Sequence, residues 1–142
     1  MSRIVFDTSV ILAYSNDQPE GDEVSGWLRR VSAGEWQGLI SAATVAEIFD
    51  LLSEKNNEEI AIILINYLKD IGISVVDVDE ELARLAGELM SGRGFPGPPG
   101  QSDRRLGTTD ALVFATAMKK KAVLYTLDDS FDGLGGVDII GV

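Results

Sequence analysis

RIVFDTSVIL, residues 3–12, places a carboxylate and two hydroxyl groups between two apolar runs. The first run is short and unbroken by polar residues, which is typical of a strand buried on both faces. The second run follows residues that favour a helix start, so we predict a strand over 3–6 and a short helix after Asp7. Asp7 therefore stands at the carboxyl end of a buried strand, either as a helix cap or as part of a site.

Short apolar strands and amphipathic helices alternate along the rest of the chain. Apolar side chains recur at helical intervals in several segments, and Gly34 and Gly72 are typical helix ends. Helices are predicted within 17–34, around 45–52, and within 57–72, 79–92 and 108–121; further strands are predicted at 37–42, 73–78, 122–126 and 137–140. This alternation predicts an α/β fold, an α/β/α sandwich with a central, mainly parallel five-stranded sheet.

At 142 residues the chain suits one compact domain, which buries roughly 70% of the surface of its unfolded form. No apolar run reaches the roughly 18 residues that a membrane span needs. The N-terminal residues also lack the basic and apolar regions of a signal peptide. We therefore expect a single domain over 1–142 and a cytoplasmic protein.

The sequence contains neither cysteine nor histidine. The lack of cysteine excludes disulfides, thiolate zinc sites and a cysteine nucleophile. The lack of histidine excludes Ser-His-Asp triads, histidine general acid–base pairs and imidazole metal sites. Any chemistry must then use carboxylates, hydroxyls, lysine, arginine or a hard metal ion.

The formal net charge of -11 argues against general affinity for a phosphate backbone. The charge is uneven, however, because residues 91–121 carry +4 and the remainder carries -15. Three lysines at 119–121 suit the negative end of a helix dipole. Arg93, Arg104 and Arg105 flank a stretch rich in proline and glycine, RGFPGPPGQSDRR, which we predict to be an exposed loop.

Four carboxylates can meet at the carboxyl edge of the predicted sheet, where ligands of open α/β sheets bind. Asp7 and Asp128 follow predicted strands, whereas Glu47 and Asp110 lie early in predicted helices. Each has a structural explanation on its own. Asp7 and Asp110 suit helix N-termini, and Asp128 suits a turn. Thr44 with Glu47 forms the pattern of a capping box, so only the conjunction of the four acids points to a site.

The motifs FDTS, AE, TDA and YTLDDSF occur in that order across nearly the whole chain. With their surroundings, IVFDTSVILA, LISAATVAEIFDLL and TTDALVFATAMKKKAVLYTLDDSF, they resemble the PIN-domain nucleases, in particular the VapC-type toxins of prokaryotic toxin–antitoxin pairs. The resemblance implies a PIN-like sheet with Rossmann-like winding. It also implies that the family's acidic quartet corresponds to Asp7, Glu47, Asp110 and Asp128.

Supporting groups follow from the same resemblance, which implies hydroxyls at Ser9 and Thr126 and a substitute fourth acid at Asp129. Converging carboxylates repel one another, and a divalent cation removes that repulsion. Oxygen ligands alone suit Mg²⁺ or Mn²⁺ rather than zinc. In this interpretation Asp7 and Asp110 bind the metal directly. The other two acids hold a second ion or its waters, and the hydroxyls tune them by hydrogen bonds.

The family resemblance implies an enzyme that hydrolyses RNA and leaves a 5′-phosphate. Arg93, Arg104 and Arg105 then become candidate RNA contacts. The resemblance also implies a small antitoxin that inserts a peptide into the acidic groove, and a homodimer. Trp27 and Trp36 are candidate partner contacts, although large apolar residues on helices more often belong to the core.

Other classes share parts of this pattern. A PIN fold without turnover would only bind RNA or protein. A receiver-like phosphoacceptor domain shares the architecture and a Mg²⁺-binding rim, but it needs paired acids after the first strand and a lysine after the fifth. Here DTS follows the first strand and no lysine follows the last. Phosphatases of the haloacid dehalogenase type need Asp-x-Asp after the first strand, where this chain has Ser9.

Overall fold

Strands and helices alternate in the computed structural model, which describes residues 1–53, 58–93 and 106–142. The strands are β1 (Arg3–Phe6), β2 (Gln37–Ser41), β3 (Ser74–Val76), β4 (Val123–Tyr125) and β5 (Ile139–Ile140). The helices are α1 (Thr8–Ser15), α2 (Gly21–Ser32), α3 (Ala42–Ser53), α4 (Glu58–Asp70), α5 (Glu80–Met90) and α6 (Thr108–Lys120), with a 3-10 helix at Asp129–Phe131. Among these described helices, none is long and apolar enough to cross a membrane.

The five strands form one parallel sheet in the order β3-β2-β1-β4-β5. β1 lies at the centre, and Val5 sits opposite Leu39 of β2 on one side and Leu124 of β4 on the other. The chain first winds outward from β1 to β3 and then returns to place β4 and β5 on the opposite side. The winding therefore reverses between β1 and β4, and a crevice opens there at the carboxyl ends of the strands.

Both faces of the sheet are covered by helices, which confirms the predicted three-layer sandwich. Ile4 and Phe6 of β1 point into a core layer formed with α1, α2, α3 and α4. Val5 points to the other layer, where it packs with α5 and α6. Most residues of β1 and β2 are thus buried whichever face they occupy, which explains the unbroken apolar runs in the sequence.

Close packing of α2 on β2 depends on Gly38. A Cβ atom at this position would lie 2.9 Å from Val31 Cγ1 and 3.0 Å from Ile73 Cγ1. These separations are shorter than ordinary van der Waals contact, so only a residue without a side chain fits beneath the helix.

The predicted element ends agree with the structure except at a few positions. α2 and α4 end just before Gly34 and Gly72, which adopt φ +78° and +107°. β5 covers only Ile139–Ile140 rather than 137–140, and Gly136 just before that range has φ +92°. The loop predicted from Arg93 to Arg105 falls outside the described residues, apart from Arg93 itself.

Candidate active site

Asp7 is fixed at the carboxyl end of β1 by its backbone and by two hydroxyl groups. Its backbone N–H donates to the carbonyl of Tyr125 in β4 over 2.9 Å. Ser9 Oγ and Thr126 Oγ1 both donate to Asp7 Oδ2, each over 2.8 Å. Asp7 occupies the N-cap position of α1, as one explanation predicted, although within residues 1–53 its side chain makes no capping hydrogen bond to that helix. Asp7 is instead oriented by the two hydroxyls.

Burial raises the pKa of the Asp7 carboxyl, which is only 4% exposed. The hydrogen bonds from Ser9 and Thr126 act in the opposite direction, because they stabilise the charged form. Burial is the larger effect. The structure therefore holds a partly desolvated carboxylate that a cation would stabilise.

The same two hydroxyls connect Asp7 to the turn after β4. Ser9 Oγ accepts a hydrogen bond from Leu127 N over 2.9 Å, and Thr126 Oγ1 accepts one from Asp128 N over 3.0 Å. Asp128 Oδ1 in turn accepts from Ser130 N over 2.9 Å and begins the 3-10 helix. Asp128 thus shapes a turn, as one explanation predicted, but the turn itself is tied to Asp7.

Asp110 lies in the first turn of α6, where the charges of the other three acids act on it. Burial, followed by the charges of Asp7, Asp128 and Glu47, raises its pKa from 3.8 to about 6. The positive end of α6 favours a carboxylate at this position, but desolvation and repulsion outweigh it. Across residues 1–53, 58–93 and 106–142, no lysine or arginine forms an ion pair with any of the four acids.

Glu47 lies in α3, where the structure corrects the capping-box explanation. The helix begins at Ala42, so Thr44 is already inside it. Thr44 Oγ1 is buried without a hydrogen-bond partner in the described part of the chain. Glu47 is half-buried rather than solvated, because it lines a cleft of about 370 Å³ between α3 and α6. The opposite wall of this cleft includes Thr109.

Asp50 is an acid of this cleft that the sequence analysis missed. It lies three residues after Glu47, the spacing that places two residues on one face of a helix. The three-residue spacing could have placed Asp50 beside Glu47 in the sequence, but exposed acids at this spacing are common on helices and do not by themselves indicate a site.

Several predicted residues lie apart from the acids or outside the description. Asp129 is exposed in the 3-10 helix, and its charge is not among those that raise the pKa of Asp110. Arg93 is exposed after α5. Arg104 and Arg105 lie outside the described residues. The indole rings of Trp27 and Trp36 meet edge to face at 5.1 Å and pack against the core, as the alternative explanation predicted.

The donor chemistry of this crevice fits a hard divalent cation. All candidate donors are carboxylate or hydroxyl oxygens, the ligands that Mg²⁺ and Mn²⁺ prefer. Within the described ranges no three acidic side chains lie close enough together to enclose an ion. Burial first, and then repulsion from the other acids, raises the pKa of Asp110, and a cation bound beside this carboxylate would offset both effects.

The PIN domain family model matches residues 4–137 of the chain. The matched range contains all of β1 except its first residue, β2 to β4, the six α-helices and all four acids, and it ends just before β5. A search of curated protein sequences finds no match.

Solved structures with the same fold include proteins of toxin–antitoxin complexes. VapBC2 from Rickettsia felis, solved with a fragment of its promoter DNA, has a TM-score of 0.72 at 16% identity, with 97% of each chain covered. FitAcB from Neisseria gonorrhoeae has a TM-score of 0.68 at 22% identity, with 96% of each chain covered. VapC20 from Mycobacterium tuberculosis, a toxin that cleaves the sarcin-ricin loop, has a TM-score of 0.66 at 20% identity, with 95% of this chain and 98% of that chain covered.

Proposed function

This chain belongs to the PIN domain family, and on that premise we propose that it is a divalent-metal-dependent endoribonuclease, the toxin of a type II toxin–antitoxin pair. The proposal treats residues 1–142 as one nuclease domain that acts in the cytoplasm. The observation that carries it is that Asp110 lies near enough to Asp7, Asp128 and Glu47 for their charges, after burial, to raise its pKa, while none of the four acids has a basic partner among the described residues. A purely structural cluster of this kind destabilises the fold, so a function is the better explanation.

In the proposed mechanism Asp7 and Asp110 hold the metal, and Glu47 and Asp128 hold a second ion or position water. A bound Mg²⁺ or Mn²⁺ would lower the pKa of water and offset the negative charge of the scissile phosphate. The hydroxyl of Thr126 keeps the Asp7 carboxylate in one orientation and holds the backbone of Asp128 in place. We propose that the substrate strand lies along the cleft that Glu47 and Asp50 line.

The test is RNA cleavage by the purified protein in Mn²⁺, followed by mapping of the new ends. Asp7→Asn should abolish cleavage, because it removes the charge of the most buried acid of the site. Asp17→Asn is the matched control, since Asp17 is exposed and asparagine tolerates its φ of +54°. Equal cleavage by wild type and Asp7→Asn would point to a contaminating nuclease and would contradict the proposal.

We propose that RNA is contacted by the three arginines of residues 93–105, which are Arg93, Arg104 and Arg105. Phosphate contacts by arginine make binding salt-dependent, with the slope falling by about one for each contact removed. Replacing Arg104 and Arg105 with alanine should therefore weaken RNA binding and flatten its salt dependence. Unchanged affinity at all salt concentrations would contradict this assignment.

An exposed apolar stripe on α4 supports the proposed antitoxin. Ile60, Ile63 and Tyr67 lie on one side of the helix and are 48%, 66% and 42% exposed. Tyr67 stacks on Tyr14 of α1, so the stripe continues onto a neighbouring helix. The strongly acidic chain favours a partner with basic residues around an apolar face.

The partner proposal is tested by co-expression with the product of the adjacent gene. Wild type should co-purify with that product, and Ile63→Glu should not, because a carboxylate would be buried in the interface. If the product co-purifies equally with wild type and with Ile63→Glu, the proposal that the apolar stripe on α4 binds the antitoxin is contradicted. The proposed homodimer is tested separately by the molar mass of the isolated protein in solution, and a monomeric mass would contradict it.

A further inference from the structure

Gly141, just after β5, occupies a position where only glycine fits. Its φ is +98°, a conformation that residues with a side chain rarely adopt. A Cβ atom here would overlap the carbonyl oxygen of Thr126 and lie 2.9 Å from Cδ1 and Cε1 of Tyr125. The backbone of Gly141 is therefore in direct contact with the end of β4.

Thr126 directly follows β4, and its hydroxyl contacts the carboxylate of Asp7. Thr126 N donates to the carbonyl of Ile140 over 3.1 Å, which ties β4 to the residue before Gly141. On its other side, Thr126 Oγ1 donates to Asp7 Oδ2 and accepts from Asp128 N. Thr126 thus joins the tail after β5 to two of the four acids.

The surroundings of Tyr125 determine which atoms a side chain at position 141 would displace. The Tyr125 ring is fully buried, with ring centroids 6.0 Å from Phe6 and 6.3 Å from Trp27. It has no free space to rotate into, because protein cores are close-packed. An added Cβ must then shift either the backbone at Thr126 or the tail itself.

We propose that Gly141 is a positioning residue of the metal site, which rests on the function proposed above. Because Gly141 has no side chain, residues 141–142 can lie against Thr126, and the Thr126 hydroxyl can then donate to Asp7 and accept from the Asp128 amide at the same time. Any side chain at position 141 displaces Thr126 and with it the orientation of both acids. The competing outcome is that the two-residue strand β5 moves aside and leaves Thr126 in place.

The experiment compares Gly141→Ala with Gly72→Ala. Gly72 has a similar φ of +107°, but a Cβ there would meet nothing within 4 Å. Both variants therefore carry the same backbone strain, and only one carries the overlap. Amide hydrogen exchange at Leu127 and Asp128 is measured by NMR in metal-free protein, and Mn²⁺ affinity is measured by titration.

We expect both amides to exchange at least about ten-fold faster in Gly141→Ala, because displacement of Thr126 breaks the hydrogen bond from the Asp128 amide to the Thr126 hydroxyl and moves the neighbouring Leu127 amide away from Ser9 Oγ. We expect Mn²⁺ affinity to fall by about 10- to 100-fold, the usual effect of disturbing groups that orient metal ligands. Gly72→Ala should match wild type in both measurements. If Gly141→Ala does not fold, the pair is compared in a Lys121→Gly background, which relieves the left-handed φ of +52° at that lysine.

Wild-type exchange and Mn²⁺ affinity in Gly141→Ala would overturn the proposal, as would equal losses in Gly72→Ala. Failure of the proposed function has a different signature. In that case wild type neither binds Mn²⁺ nor cleaves RNA, whereas the exchange of the two amides still decides whether Gly141 positions Thr126.

Discussion

Replacing Asp110 with asparagine should stabilise the metal-free protein while abolishing the proposed nuclease activity. Burial and the neighbouring acids raise the pKa of Asp110 from 3.8 to about 6, so the folded state disfavours its charged form. The difference between these values corresponds to at most ~3 kcal/mol at neutral pH. Because Asp110 is only half-buried, solvent screening reduces this to about 1.5 kcal/mol.

The pH dependence of the effect has a definite sign. The folded protein binds the Asp110 proton more tightly than the unfolded chain does, so wild-type stability falls as the pH rises from about 4 to about 6. Below that window the group is neutral in both states and costs nothing. Asparagine should therefore give only a small gain at pH 4, which is the lower edge of this window, and its full gain at pH 8.

Thermal unfolding in EDTA at these two pH values measures the effect. For a chain of this size about 1.5 kcal/mol raises the Tm by roughly 3–6 °C. Asp17→Asn serves as control, because it removes the same charge from an exposed position. Excess Mn²⁺ should then raise the Tm of wild type but not that of Asp110→Asn, since only a bound ion stabilises the folded state. An Asp110→Asn protein no more stable than the control at pH 8, or equally stabilised at pH 4, would refute this reasoning.

Three further substitutions test individual contacts. Lys121→Gly should raise the free energy of unfolding by about 0.5–1 kcal/mol, because glycine accepts φ +52° without strain; denaturant titration measures the change. Gly38→Ala should lower it by about 1–3 kcal/mol through overlap with Val31 and Ile73, whereas an unchanged denaturation midpoint would mean that α2 yields. Thr126→Val removes the hydroxyl with little change in shape. The free energy of unfolding should therefore fall by about 1–3 kcal/mol and the rate of RNA cleavage by about 10- to 100-fold. A wild-type cleavage rate would exclude an orienting role for the Thr126 hydroxyl.

Local patterns in the sequence were enough to predict the layers of the fold. RIVF is apolar at every position but the first, and both faces of β1 are indeed buried. Apolar periodicity reports whether a residue is buried, but it does not report which strand lies beside it. The central place of β1 and the reversal between β1 and β4 follow from long-range packing, which the local pattern does not contain.

The candidate site was less predictable from the residues than from the family resemblance. Glu47 falls off the apolar stripe of α3 and would be solvated on an isolated helix, but α6 covers that side and leaves it half-buried. The bonding of Ser9 and Thr126 to one oxygen of Asp7 joins distant parts of the chain, so no local pattern reveals it. The sequence gives no local signal for Gly141, because its proposed role depends on contacts with Tyr125 and Thr126.

The hydrogen bond between Asp7 and Thr126 joins residues that are 119 positions apart. During synthesis the first strand leaves the ribosome long before the fourth, so the chain spends most of its elongation without a complete site. Asp128 follows β4, so its charge likewise joins the other three acids only when β4 docks beside β1. An activity that depends on the pair is absent from every partly synthesised chain, and the cell that makes the protein is exposed only to finished molecules.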